Sequence, residues 1–163
     1  MTDLQLRAPA NLVSARARWY WAVRALVGWL VALAIETVVW LMAPGATRAH
    51  VLVLAGTLLL AGAHLAVMPQ WRYRVHRWET TDTAVYTQAG WFRQERRIAP
   101  IVRIQTVDMH RGPFEQLFGL ANVTVTTASA AGPLEVHGLD LATAEALVHE
   151  LTARTQLDTE DGT

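Results

Sequence analysis

Two long apolar runs fall within the first 68 residues of this 163-residue chain, and they constrain its fold more than any other feature. The first run covers residues 22–42 and the second covers residues 51–68. A helix over the first run rises about 31 Å, enough to cross a hydrocarbon core of roughly 30 Å. Residues 43–50, which include Pro44 and Gly45, suffice only for a turn between antiparallel helices. We therefore predict a transmembrane hairpin.

Two other interpretations of these runs fit less well. A cleaved signal peptide has a shorter apolar run and fewer residues before it. A buried helical pair in a soluble protein does not explain why aromatic residues gather at the ends of the runs, where indole and phenol rings favour the headgroup layer. These aromatic residues are Trp19, Tyr20, Trp21, Trp40, Trp71 and Tyr73.

The distribution of arginine predicts the orientation of the hairpin. The turn contains only Arg48, whereas six arginines flank the other end of the two runs. These six are Arg16, Arg18, Arg24, Arg72, Arg74 and Arg77. Because cytoplasmic flanks carry the excess of basic residues, we predict that the N-terminal segment 1–21 and the C-terminus are both cytoplasmic.

Charge is unevenly spread, although the net charge is zero. Residues 1–24 carry +3, residues 69–112 carry +4, and residues 113–163 carry −7. All 14 basic residues are Arg, which excludes Schiff-base lysine chemistry and a P-loop lysine. The chain has no Cys, which excludes disulfides, thiolate nucleophiles and Cys-ligated metals. We predict no metal and no cofactor.

Glu36 and His64 are the two ionisable residues predicted to lie at membrane depth. Such residues are costly in hydrocarbon and raise a functional hypothesis, here a proton or ion relay. Their positions place them at different depths, so a direct pair is not expected. The structural alternatives are snorkelling or an interhelical hydrogen bond, for Glu36 with Arg48 or with a second protomer. Pro69 is expected to end the regular part of the second helix.

From residue 72 onward, short β-type runs alternate with turn residues, which is typical of an antiparallel meander or open barrel. Predicted strands lie at 78–80, 84–87, 91–98, 103–110, 121–128 and 134–137, with a helical turn or loop at 114–119. Asp140 is positioned to cap a helix from Leu141 to about Arg154, with Ala144, Leu147 and Leu151 on one stripe. Residues 155–163 have the composition of a disordered acidic tail. The fold class is therefore α+β.

Several segments of this region resemble the bacterial pleckstrin-homology (PH) domain. They are Trp78-Glu79-Thr80-Thr81-Asp82, Arg96-Arg97-Ile98, Arg103-Ile104-Gln105-Thr106-Val107, Gly112-Pro113-Phe114-Glu115-Gln116-Leu117-Phe118-Gly119-Leu120 and Val123-Thr124-Val125-Thr126-Thr127. With two preceding spans, the layout is similar to the small YdbS-like members. The resemblance implies a seven-stranded PH-like barrel over residues 69–154, capped by a C-terminal helix, in a bacterial inner-membrane protein. It implies no catalytic residues.

Motifs for catalysis are missing from the sequence, which has no Gly-rich phosphate loop, no HExxH and no GxSxG. The six histidines are scattered. We therefore predict that the protein is not an enzyme. A cluster of basic and aromatic residues is a better candidate for a binding site than any catalytic motif. Its members Trp71, Arg72, Tyr73, Arg74 and Arg77 follow the second span, and Arg96 and Arg97 lie further along the chain. Either topological anchoring or binding of anionic lipid headgroups explains the first group. Nucleic acid is not predicted, because no stacking aromatics repeat beside the arginines.

The favoured function is a membrane-anchored PH-like adaptor that binds a protein partner, another copy of itself or anionic lipid headgroups. The alternative belongs to a different class, an accessory subunit of a membrane transport or export complex that uses Glu36 and His64.

Overall fold

A computed structural model describes residues 7–90, 92–129 and 132–160, with only the backbone of residues 157–160. It contains four helices and seven strands in these ranges. In chain order they are β1 (Asn11–Leu12), α1 (Ala17–Met42), α2 (Thr47–Val75), β2 (Arg77–Thr80), β3 (Ala84–Ala89), β4 (Glu95–Pro100), β5 (Ile104–His110), α3 (Pro113–Leu117), β6 (Leu120–Thr127), β7 (Leu134–Asp140) and α4 (Leu141–Glu160). The architecture confirms the predicted α+β fold.

The two long helices, α1 and α2, pack against each other through a short turn at Pro44–Ala46. Both are long and apolar enough to cross a membrane, with mean hydropathies of 2.1 and 2.2. Most of their large apolar side chains are exposed, as expected where lipid is the solvent. Both helices extend beyond the predicted spans at the end opposite the turn, which we call the hairpin base.

The expectation that Pro69 ends the regular part of the second helix is wrong. The helix α2 continues through Pro69 to Val75. Proline in a helix interior removes one backbone hydrogen bond and costs roughly 3 kcal/mol. Here Met68, Pro69 and Val75 are all buried, so packing at the hairpin base holds the helix together past the proline.

The strands form two antiparallel sheets, ordered β1-β2-β3-β4 and β5-β6-β7. The seventh strand is β1, which precedes the hairpin and pairs Asn11 with Trp78 and Leu12 with Arg77. The segment before α1, treated above as separate from the barrel, therefore supplies an edge strand to it. Strand β4 begins at Glu95, because the chain turns through Gly90 at a φ of 107°; residue 91 lies outside the described residues.

The helix α4 closes one side of the barrel, as its apolar stripe predicts. Ala144, Leu147 and Leu151 are 0%, 2% and 0% exposed and pack with the buried valines of β6. The helix does not end at about Arg154 but runs to Glu160, where the tail was expected to be disordered. In the added turn, Thr155 Oγ1 donates a hydrogen bond to the Leu151 carbonyl. Residues 161–163 lie outside the described residues.

A second core joins the hairpin base to the barrel. Its buried members are Val13, Ala17, Tyr20, Trp21, Met68 and Leu120, drawn from the N-terminal segment, both long helices and β6. The predicted aromatic belt is therefore only partly correct. Trp19 is 68% exposed, but Tyr20 and Trp21 are 7% and 3% exposed and pack against protein rather than headgroups.

Candidate functional site at the hairpin base

The first turn of α1 lies directly on the sheet β5-β6-β7, and one glycine makes this approach possible. Gly138 has a φ of +74°, and a Cβ added there would lie 3.0 Å from Ala17 Cβ. Ser14 fixes the same junction: its backbone N–H donates to the Gly138 carbonyl and its Oγ donates to Asp140 at 2.8 Å. Asp140, the predicted cap of α4, thus also anchors the N-terminal segment.

A chain of polar contacts links α1 to α3. Arg24 Nη1 donates to Tyr20 Oη at 2.9 Å, and Tyr20 Oη donates to Glu115 Oε1 at 2.6 Å. Asn122 Nδ2 also donates to Glu115 Oε1, at 3.5 Å. The hydrogen bond from Tyr20 is the main reason that the pKa of Glu115 is lowered from its ordinary value. Glu115 is therefore a carboxylate at neutral pH.

Beside these polar contacts, the Trp21 ring packs against the Arg72 guanidinium and the His76 ring. The Arg72 guanidinium lies 4.7 Å from the centre of the Trp21 ring, and the His76 ring lies 4.9 Å from the same indole. His76 Nδ1 is 2.7 Å from the Arg72 carbonyl oxygen. His76 is only 3% exposed, and its burial lowers its pKa from 6.5 to about 4. The imidazole is therefore neutral at physiological pH.

Between the bases of α1 and α2 lies an open cavity of about 400 Å³. Its lining consists of Trp21, Arg24, Ala25, His64, Met68 and Arg72. Two of these six residues are arginines and none is acidic. The cavity is chemically suited to an anion with an apolar extension.

Comparison with known proteins assigns the family. The model of the Bacterial PH domain family matches residues 22–155, most of the chain. The chain belongs to the bacterial PH domain family. It is similar to the "UPF0699 transmembrane protein YdbS" of Bacillus subtilis (strain 168), with 36% identity over 76 residues. That match covers 45% of this chain and 48% of the relative, so the chain matches about half the length of that relative. No solved structure matches.

The predicted basic residues after the second span of this bacterial PH domain protein do not lie on one surface. Arg72 faces the cavity and is half-buried, whereas Arg74 is exposed. Arg77 Nη1 donates to the Pro9 carbonyl at 3.4 Å, which ties β2 to the N-terminal segment. Of the two aromatic residues, Trp71 is 46% exposed and Tyr73 carries the Arg18 guanidinium over its ring at 4.9 Å.

Arg96 and Arg97 are neighbours on β4 and so lie on opposite faces of their sheet. Arg96 is in register with Gln88, which is in register with Arg77, so Arg77 and Arg96 share a face. Arg97 lies at the mouth of the barrel, in a second cavity of about 350 Å³. Its Nε is 3.1 Å from Glu95 Oε1, and its guanidinium also contacts the Pro133 carbonyl.

Arg24 was predicted only to flank the first span, as part of the arginine excess that sets the orientation. A signal was present: Arg24 follows Tyr20 by four residues, the spacing that brings side chains together on a helix face. It also lies inside the first apolar stretch, where an arginine is costly unless it has a partner or a polar cavity.

The two intramembrane ionisable residues have different surroundings. His64 Nδ1 accepts a hydrogen bond from Trp29 Nε1 at 3.0 Å, the interhelical type of contact proposed above. Glu36 lies seven residues beyond Trp29, about 10 Å further along α1, so the expected difference in depth is present. Glu36 Oε1 is shielded from solvent and has no hydrogen-bond partner among the described residues.

Proposed function

We propose that this protein is a membrane-anchored adaptor in the bacterial inner membrane, whose PH-like domain binds at the cytoplasmic surface without catalysis. The observation that carries the proposal is the core shared by barrel and hairpin, with Ala17 and Trp21 of α1 packed beside Leu120 of β6. This core holds the barrel against the hairpin base, so one face of the domain always meets the bilayer surface. A domain on a loose linker would not be oriented in this way.

Helix α3 supports contact with lipid. It lies beside α1 at the level of Tyr20, because Glu115 accepts a hydrogen bond from that tyrosine and the Phe118 ring packs edge-on against it, with ring centres 6.2 Å apart. This level is the predicted headgroup boundary. Phe114 and Leu117 of α3 are nevertheless 45% and 77% exposed. Apolar side chains at that depth are favourable in the interface, where lipid covers them.

Charge around the hairpin base favours an anionic surface. Arg18 and the exposed Arg74 flank the same end of the two helices. Each arginine near an anionic leaflet contributes on the order of 1 kcal/mol to membrane binding. The adaptor function then places the opposite, distal end of the barrel toward a protein partner or a second copy of the chain.

The depth of α3 tests this proposal. Because the chain has no Cys, single-cysteine variants can be spin-labelled without background. In full-length protein reconstituted with phosphatidylglycerol, a label at Leu117→Cys should be protected from a water-soluble relaxing agent. The matched control is Val102→Cys, which is 75% exposed at the distal end and should be accessible to that agent. Equal accessibility at both positions would contradict the lipid-facing assignment.

One observation favours the alternative function, an accessory subunit of a transport or export complex. Among the described residues, the solvent-shielded Glu36 Oε1 lacks a hydrogen-bond partner, and a neighbouring transmembrane helix of another protein could supply one. In that case Glu36→Gln should weaken co-purification of a membrane partner from gently solubilised membranes. His64→Asn should abolish transport by the complex that contains this partner. An adaptor that works through its barrel should tolerate both substitutions.

A further inference from the structure

The cavity at the hairpin base carries a positive charge that no ion pair among the described residues offsets. Arg24 and Arg72 both line it, and neither has a carboxylate within ion-pair distance in the ranges that the structure describes. Arg72 Nε is shielded from solvent and has no hydrogen-bond partner in the part of the chain that the structure describes. An unsatisfied buried donor costs about 1–3 kcal/mol, so a rotation of the Arg72 guanidinium that brings this nitrogen to an acceptor in the cavity would be favourable.

The nearest acid cannot serve as that acceptor. Glu115 reaches Arg24 only through the hydroxyl of Tyr20, which donates to the carboxylate and accepts from the guanidinium. Asn122 occupies the same carboxylate oxygen. The remaining donors of Arg24, an exposed residue at the rim, stay available to an external anion.

The polarity of the lining residues changes along the axes of α1 and α2. The two arginines lie at the end near the barrel, and Ala25 and Met68 provide apolar walls. His64 marks the deep end, because its partner Trp29 lies five residues beyond Arg24, about 7.5 Å further along α1. A charged head at one end and an apolar wall leading into the bilayer match an amphiphile better than a free ion.

We propose that this cavity binds one anionic phospholipid, with its phosphate group between Arg24 and Arg72 and its acyl region along Ala25 and Met68. Guanidinium groups bind phosphate oxygens in a paired, directional geometry. Basic pockets between transmembrane helices on the cytoplasmic side are suited to anionic headgroups. The assignment rests on the proposed function, since it takes the hairpin base to lie in a lipid leaflet. It adds a discrete site for a single lipid molecule.

Thermal unfolding of the full-length, delipidated protein in detergent tests the site. Phosphatidylglycerol should raise the melting temperature saturably, with a stoichiometry of one lipid per chain by native mass spectrometry. Phosphatidylcholine and inorganic phosphate at the same concentration should give much smaller shifts. Displacement of phosphatidylglycerol by equimolar inorganic phosphate would overturn the assignment to a lipid and identify a free phosphate site.

Substitutions locate the bound phosphate. Arg24→Gln and Arg72→Gln should each weaken phosphatidylglycerol binding roughly tenfold, because each removes a charge-assisted hydrogen bond. Arg103→Gln is the control, an exposed arginine between β4 and β5 and outside the hairpin base, and should change the affinity less than about twofold. Unchanged affinity in the double variant Arg24→Gln/Arg72→Gln would overturn the proposal.

Two further measurements distinguish loss of lipid binding from loss of folding. Without lipid, Arg24→Gln should lower the melting temperature only slightly, because Arg24 is exposed and the substitution removes a single hydrogen bond to Tyr20 Oη. Ala25→Phe should fill the apolar part of the cavity and weaken lipid binding while leaving both arginines in place. If the lipid site fails but the Leu117→Cys label remains protected, the adaptor proposal stands and only the cavity assignment falls.

Discussion

His76 couples the stability of the hairpin base to pH. Burial lowers its pKa from 6.5 to about 4, with repulsion from Arg72 and His137 adding to the effect and a hydrogen bond to the Arg72 carbonyl opposing it. Between these two values the unfolded chain binds a proton that the folded protein does not. The free energy of unfolding should therefore fall as pH decreases from about 6.5 to about 4, by up to roughly 3 kcal/mol. Unfolding followed by tryptophan fluorescence at a series of pH values measures this loss.

A substitution identifies the residue responsible. His76→Gln removes the titrating group and retains a donor for the Arg72 carbonyl, so the slope between pH 6.5 and 4 should become shallower. His149→Gln, at an exposed position on α4, should leave the slope unchanged. A slope that persists in His76→Gln would assign the pH dependence to other groups.

Gly138 tests the junction between α1 and the sheet. Any L-residue at its φ of +74° costs about 1–2 kcal/mol, and an added Cβ would also lie 3.0 Å from Ala17 Cβ. Gly132 has a similar φ of +79° but no neighbour within 4 Å of an added Cβ. Gly138→Ala should therefore destabilise the protein more than Gly132→Ala, measured by thermal unfolding. Equal losses would mean that only backbone strain matters and that α1 is not held closely against β7.

At the level of elements, α4 contributes through its buried stripe. Leu147 is 2% exposed, and truncating a buried leucine typically costs about 2–5 kcal/mol. Leu147→Ala should lower the melting temperature of the full-length protein accordingly. Glu150 makes a partly exposed ion pair with Arg154 at 2.9 Å, so Glu150→Ala should change stability by less than about 1 kcal/mol. Similar losses from the two variants would contradict docking of α4 through this face.

The elements with periodic sequence patterns were predictable, and those defined by distant contacts were not. The hairpin, the strands from β2 to β7 and the apolar stripe of α4 follow from runs and alternation. Strand β1 has only two residues, which show no period, and its partner Trp78 lies 67 positions away. From the sequence, Tyr20 and Trp21 were expected to contact lipid headgroups. A core between the hairpin base and the barrel also requires aromatic residues at this end of α1, so the sequence does not distinguish the two cases.

The candidate site also depends on contacts between residues that are distant in sequence. Arg72 was selected from its position after the second span, but its cavity depends on Arg24, 48 positions earlier in the chain. Only the packing of α1 against α2 brings the guanidinium groups of Arg24 and Arg72 to the same cavity. Linear charge clusters suggested a single basic surface, whereas strand alternation separates Arg96 from Arg97 and helix packing separates Arg72 from Arg74.

For the whole molecule, the pairing of β1 with β2 determines that the two ends of the hairpin lie on one side of the membrane. Strand β1 precedes α1 and β2 follows α2, and they are joined by backbone hydrogen bonds and by the contact of Arg7 with Glu79. The arginine excess at that end predicts that this side is the cytoplasm. Gly45, with no atom within 4 Å of an added Cβ, should then face the exterior.

Thiol labelling in intact cells checks this topology, because the chain contains no other cysteine. A membrane-impermeant maleimide should label Gly45→Cys in intact bacterial cells, since the turn protrudes from the outer leaflet. Val102→Cys, 75% exposed at the distal end of the barrel, should react only after the membrane is permeabilised. Labelling of Val102→Cys in intact cells would place the barrel outside. In that case the bound lipid could not come from the anionic cytoplasmic leaflet. The pairing of β1 with β2 would still require both ends of the hairpin to lie on the same side of the membrane.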